Sequence, residues 1–221
     1  MSNKQDPIRK IELFPLFVPF KEHIRDMLQG GSGKVAMGLK VDDHWLGADF
    51  LLCRMTTENG VVGVGDVYVW LVEGSVTPVL MASLIKDHLA RFVLGRSAFD
   101  IGLINDKFDN NVARNEMAKG VLDLALYDVA ARTIDRPVYD LCGGKQIDRI
   151  PMSMVLPLTS VDIILEVIQR GLDAGLRSFR CKLGDGLRRD VEIIKAVREL
   201  IGPDAALRVD YNQAYNPNEA L

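Results

Sequence analysis

Cysteine is scarce, and the three present, Cys53, Cys142 and Cys181, stand far apart with no C-x-x-C pair. Such spacing builds neither a disulfide framework nor a zinc site, and it suits a reducing cytosol. Long apolar runs are missing: none approaches the roughly 18–20 residues that cross a bilayer. The opening MSNKQDPIRK is polar, without the apolar core of a secretory leader. A charge excess of either sign is also lacking. Lys and Arg number 27 against 30 Asp and Glu, a net of -3, which gives no footprint for nucleic acid or an anionic membrane. Arg188-Arg189 sits among acids and reads as a solvated helix face. Histidine is rare, and His23, His44 and His88 show no metal-ligand spacing; His88 shares a helical face with apolar residues, as a structural histidine does. What is present is ordinary for a soluble, intracellular globular protein. Hydrophobic residues make up 48% and charged residues 26% of 221 positions, enough for one large domain or two modest ones.

The first part of the chain reads as strands. Ile8–Phe20 is β-prone but broken by Pro15 and Pro19, and Phe50–Thr56 is followed by Glu58-Asn59-Gly60 and Val61–Val64. Asn-Gly between two such runs predicts a hairpin. The connection Lys21–Leu46, with Gly30, Gly31 and Gly33, is long enough to be a functional loop. From Thr77 the period becomes helical: Val79, Leu80, Leu84, His88, Leu89 and Phe92 suit one helix, and Ile101–Val112 a second. Met117, Val121, Leu124, Ala125, Tyr127 and Ala130 mark a third, which Pro137 ends before the break at Gly143-Gly144. Strands followed by helices predict an α+β domain over residues 1–145.

Residues 146–221 alternate instead. Strand Ile150–Leu156, helix Val161–Ala174, strand Arg177–Leu183, helix Arg188–Leu200 and strand Ala206–Tyr211 lead to Asn216-Pro217, a helix start. Repeated β-α-β units predict a parallel sheet with right-handed crossovers. Three such strands make only part of an eight-stranded barrel, which takes about 250 residues.

Side chains alternate faces along a strand. Phe179, Cys181 and Leu183 share one face, suited to packing under helices, and Ser178, Arg180 and Lys182 share the other. Likewise Leu207, Val209 and Tyr211 oppose Arg208, Asp210 and Asn212. Parallel strands are normally apolar on both faces. Two neighbouring strands that turn charge inward break that rule together, and costly interior charges concentrate at functional sites. One reading is an internal ion pair in which Asp210 neutralises Arg180 or Lys182. The other is a functional site, favoured because the charges lie late in their strands, where barrel active sites form.

These segments resemble the enolase superfamily, in particular its muconate-lactonizing and mandelate-racemase-like branch. ENGVVGVGD resembles the G-x-G-E end of that family's capping-domain sheet, with Asp66 where Glu is usual. AKGVLDLALYDVAARTIDRPVYDLCGGK resembles its long helix, Pro-Val and Gly-Gly signature, with Asp135 in place of Gly. FRCKLG resembles the K-x-K segment of the second barrel strand, and LRVDYNQAY the third-strand segment bearing a metal ligand. The resemblance implies a capping domain (1–145) followed by the first three β/α units of a modified TIM barrel (146–221, barrel not closed). It implies a Mg²⁺-dependent racemase, epimerase, cycloisomerase or dehydratase that abstracts a proton α to a carboxylate, and a homo-oligomer in the complete protein. Lys182 matches the acid/base lysine, Asp210 matches a Mg²⁺ ligand, and Asn212 lies near the metal. Arg180 stands where the family has lysine; it supplies positive charge beside Lys182 but cannot itself act as a base. Enediolate formation needs concentrated positive charge, and superfamily sites combine a Lys or His base with Mg²⁺. Lys21–Leu46 and the stretch VYVWLVEGS match the loops that cover the barrel mouth, with Trp70 as a substrate-facing wall or simply core.

The resemblance also implies further metal carboxylates and an opposing acid/base group on later strands, so residues 1–221 alone are expected to be inactive. A non-enzymatic or partner-dependent domain is the alternative, with an unpaired strand edge open to association. An unrelated doubly wound nucleotide-binding fold would need a Gly-rich phosphate loop, for which Leu183–Gly186 is too short a match.

Overall fold

The computed structural model describes residues 6–22, 24–25, 46–212 and 214–221, without the side chains of 72 and 73. The loop Lys21–Leu46 therefore lies mostly outside the described residues, as do His23 and His44. The chain divides into two compact units, Met1–Pro19 with Gly47–Asp148, and Phe20–Leu46 with Arg149–Leu221.

The first unit is built on an antiparallel sheet of order β1-β2-β3, with β1 Ile8–Pro19, β2 Gly47–Thr57 and β3 Val62–Val69. Pro15 does not break β1. It sits opposite Leu51 on an outer strand, where a missing N–H leaves no ladder bond unmade. The Asn-Gly turn forms as expected, with Gly60 at φ 86°, and Val61 N–H donates to the Thr57 hydroxyl. β3 extends past the predicted Val64, so Val67, Tyr68 and Val69 belong to a strand rather than a loop. Short helix α1, Leu71–Gly74, follows them.

The predicted helix over Val79–Phe92 is three pieces: α2 Pro78–Leu84, a π-turn Ile85–Leu89 and a 3₁₀ turn Ala90–Phe92. A π-turn inserts residues into the helical repeat and shifts its phase. Ile85 and Leu89 are buried as a result, whereas His88 is exposed, contrary to the structural role its spacing implied. Helices α3 (Ile101–Asn111) and α4 (Glu116–Thr133) match their periodicities. Val121, Leu122, Ala125, Leu126 and Val129 of α4 are all fully buried with Leu51, Cys53 and Met55 of β2.

Close contact between α4 and the sheet depends on two glycines of β3. A Cβ on Gly63 would lie 2.4 Å from the Val129 nitrogen, and one on Gly65 would lie 2.4 Å from the Val121 carbonyl oxygen. Helix α4 stops before Pro137. Ile134 and Arg136 both donate to the Ala131 carbonyl, and Asp135 takes a left-handed φ of 52°. That is the usual glycine place in a helix C-terminal cap, and Pro137 instead leads into short helix α5, Val138–Leu141.

The second unit has a parallel sheet of order β4-β5-β6, formed by Met154–Leu156, Ser178–Lys182 and Ala206–Asp210. Helices α6 (Val161–Asp173) and α7 (Leu187–Ile201) alternate with the strands. β4 is shorter than predicted, and Ile150 and Met152 before it are exposed. Ile164 and Ile168 of α6 and Ile193 and Val197 of α7 bury against Phe179, Cys181 and Leu183, the face that alternation assigned to the helices. Leu207 and Tyr211 join this core, while Val209 on outer strand β6 is 37% exposed. Short helix α8, Pro217–Ala220, starts at Asn216 with a capping box closed by Glu219. Among the described residues no helix is long and apolar enough to cross a membrane.

Candidate functional site

Strand β5 is central in its sheet, and its register decides which side chains meet. Lys182 pairs with Asp210, and Arg180 with Arg208, so all four project from the face opposite the helices. Burial of Phe179, Cys181 and Leu183 under α6 and α7 fixes this parity. A one-residue slip would move both cations into the apolar core. Burial also pushes the Cys181 thiol up to about 11, in keeping with a core residue.

Lys182 is buried, with 7% of its surface exposed. Its Nζ donates to Asp210 Oδ2 at 2.8 Å and to Asn212 Oδ1 at 2.6 Å. Arg180 donates through a terminal nitrogen to the same Asp210 oxygen, and its buried Nε has no hydrogen-bond partner. Asp210 Oδ1 accepts from the Asn212 backbone N–H at 3.0 Å. Burial of Asp210 favours its neutral form, but the bonds from Lys182, the Asn212 N–H and Arg180 outweigh it and hold the carboxyl at about 2. One ionised carboxylate thus serves two cations.

Asn212 reaches the cluster differently from the way alternation implied. β6 ends at Asp210, and the chain turns through Asn212 at φ 44°, closed by the Asp210 side chain bonding to the backbone two residues on. Asparagine tolerates this conformation and aspartate favours this turn. Arg208 remains exposed, two residues before Asp210. Trp70 is half-buried at the N-cap of α1, and Asp66 lies on β3 opposite Leu52; both belong to the first unit.

A second polar group, missed by sequence reasoning, adjoins the strand ends. Asp190 of α7 is 2% exposed. Its Oδ2 accepts from Gly184 N–H at 3.0 Å and from the Tyr215 hydroxyl at 2.6 Å. Tyr215 in turn accepts from Gly186 N–H at 3.0 Å. Burial, and then the bond to Asp190, push the Tyr215 hydroxyl up to about 12. The signal was available: position 190 is in phase with Ile193, Val197 and Ile201, an acid on an apolar stripe.

Among the described residues no three His, Cys, Asp or Glu side chains are grouped as metal ligands. The donors at the cluster, the Asp210 carboxylate and the Asn212 amide oxygen, are hard oxygens of the kind Mg²⁺ accepts. Mg²⁺ commonly takes one or two carboxylates and leaves other positions to water and substrate. The donors fit it in kind.

Comparison with known proteins locates the chain. Residues 45–143 match the family model described as mandelate racemase/muconate lactonizing enzyme, N-terminal domain, and residues 164–221 match the enolase C-terminal domain-like model. The N-succinyl-L-Arg/Lys racemase of Bacillus cereus is 30% identical over 168 residues, covering 75% of this chain and 45% of that protein. A chloromuconate cycloisomerase of Cupriavidus pinatubonensis is 33% identical over 174 residues, covering 75% of this chain and 46% of that one. Muconate lactonizing enzyme from Pseudomonas fluorescens, solved with muconolactone, superposes with a TM-score of 0.83 at 24% identity, over 98% of this chain and 56% of that one. The solved Bacillus cereus racemase gives 0.81 at 25% identity, over 97% and 55%. The chain spans about half the length of the curated relatives it matches.

Proposed function

Because the chain belongs to the mandelate racemase/muconate lactonizing enzyme branch of the enolase superfamily, we propose that its Arg180–Lys182–Asp210–Asn212 cluster is part of a centre that moves a proton α to a carboxylate. Its relatives are racemases, epimerases and cycloisomerases. In this reading residues 1–145 are the capping domain and residues 146–221 the first three β/α units of a barrel, a division of the sequence that differs from the two compact units in where it puts Phe20–Leu46. Substrates to consider first are N-acylated amino acids, dipeptides and muconates, the compounds after which the relatives are named.

The observation that carries this reading is a buried lysine set between an ionised carboxylate and an amide oxygen, with a second cation on the same carboxylate oxygen. Two cations against one anion leave a positive charge uncompensated among these residues. A carboxylate substrate answers that charge, and the planar guanidinium of Arg180 is suited to grip it. An ammonium has three hydrogens. Asp210 and Asn212 take two from Lys182, leaving one to deliver to a carbanion-like centre. The reverse transfer takes the α-proton back onto the same Nζ. Asp210 would hold Mg²⁺, with Asn212 beside it; the ion would supply the charge that stabilises a developing enediolate.

A purely structural ion cluster is the second reading, favoured by the complete internal bonding of Asp210. Deuterium incorporation at Cα, followed by NMR in D₂O with Mg²⁺ on a carboxylate panel, separates the two. The full gene product is expected to exchange and its Lys182→Ala variant to lose at least ~10³-fold, the scale of general acid–base catalysis. Exchange that survives the substitution would sink the assignment.

A further inference from the structure

We infer that Asp190 and Tyr215 are positioning residues that hold the Lys182 and Asp210–Asn212 strand ends in bonding register; the catalytic consequence, though not the geometry, rests on the proton-transfer reading above. Lys182 closes β5, and the backbone runs from it through Leu183 to Gly184, whose N–H donates to Asp190 at 3.0 Å. Asn212 follows β6, and Tyr215, three residues on, donates to the same Asp190 oxygen at 2.6 Å. Gly186 N–H, from the loop after β5, bonds to the hydroxyl of Tyr215, from the loop after β6, at 3.0 Å. The two loops that follow the functional strands are therefore joined to one buried carboxylate and to each other.

The neighbouring residue extends the tie to a third loop. Arg189 donates to the Thr159 carbonyl at 3.1 Å, after β4, and to Asp185 at 2.6 Å. Inside this frame, Leu183 N–H donates to the Asp210 carbonyl at 3.0 Å, continuing the β5–β6 ladder beyond Lys182. The ring of Tyr215 packs on Tyr211, with centroids 5.2 Å apart, so packing places the hydroxyl before it bonds. Asp190 itself stands on the apolar stripe of α7, where an acid is costly unless bonded. One of its oxygens takes both donors and the other, Oδ1, has no partner. A buried polar side chain of this kind is poor material for stability alone; its geometric product is the fixed spacing of the two loops.

Tyr215→Phe keeps the ring and removes only the bridge. The readout independent of any reaction is reductive methylation of the purified protein, followed lysine by lysine with mass spectrometry. Lys182 is expected to be modified at least 5-fold faster in Tyr215→Phe, with Lys119, bonded to Asp109 in the other unit, unchanged. Asp190→Asn is expected to act in the same direction and more strongly. Lys182 protection unchanged in Tyr215→Phe, or a parallel rise at Lys182 and Lys119, overturns the inference, the second because it marks general loosening. In the full gene product, Tyr215→Phe is expected to lower kcat for Cα exchange at least 10-fold with KM within 3-fold. If Tyr215→Phe unshields Lys182 while Lys182→Ala retains exchange, the proton-transfer reading falls and the positioning role stands.

Discussion

Breaking the Lys182–Asp210 contact in two ways tests whether the cluster is one coupled unit. Asp210 is held at about 2 against an ordinary 3.8. At ~1.4 kcal/mol per pKa unit, its ionised form contributes about 2 kcal/mol of folding free energy at neutral pH. Its side chain is only 16% exposed, so solvent screening removes little of this. Asp210→Asn is expected to cost about 2 kcal/mol, since both cations lose their counter-charge at once. Lys182→Met is expected to cost about 1 kcal/mol, because Arg180 still answers the carboxylate and the methionine fills the buried space. In the double variant Asp210 is no longer there to be unpaired, and the loss should fall short of the sum by about 1 kcal/mol. Native-state amide exchange at Ile193 and Val197 of α7, with EDTA present, reads the unit that carries the cluster. The sign with pH follows from the depressed carboxyl. The contribution is full above about pH 4–5 and is lost as pH falls through 2, so the gap between wild type and Asp210→Asn should close on acidification. Additivity within ~0.3 kcal/mol, or a gap that persists at pH 2, would refute the coupling.

Two further outcomes concern the first unit. Gly65→Ala places a methyl 2.4 Å from the backbone oxygen of Val121, so α4 must move off the sheet; a loss of about 2–3 kcal/mol is expected in urea unfolding, and a change below ~0.5 kcal/mol would show the packing to be looser. Asp135→Gly removes a side chain from a left-handed cap at φ 52° and should stabilise by about 0.5–1 kcal/mol, raising the thermal midpoint, whereas no rise would mean that the aspartate gains something the cap geometry does not show.

Much of the fold was legible in the sequence because its elements obey one period each. The Asn-Gly hairpin, the long helix over Met117–Ala130 and the βαβαβ pattern after Ile150 all form where the residues indicated. Errors arose where a local device interrupts the period. The π-turn at Ile85–Leu89 turned His88 outward, and nothing in an apolar count announces an inserted residue. Asp135 ended α4 before Pro137, since the left-handed residue that stops a helix need not be glycine. Val67–Val69 was expected as loop, although β-branched and aromatic residues extend β3 through it.

The cluster was legible for the opposite reason: strict alternation assigns faces whatever the tertiary context, and Arg180, Lys182 and Asp210 followed it. Register was not legible, because parallel strands joined by helices carry no turn to fix their offset. The pairing of Lys182 with Asp210, and of Arg180 with Arg208, came only from the structure. That pairing has a chemical consequence. A guanidinium is by its chemistry a poor proton carrier, so under the proposed proton transfer the carrier is Lys182 rather than Arg180. A cycloisomerisation needs one such carrier, whereas a racemisation needs a second one facing the opposite side of the α-carbon. Under the proposed proton transfer, strands β5 and β6 would act on one face of a substrate, and the stereochemical outcome would be decided by groups that neither strand supplies.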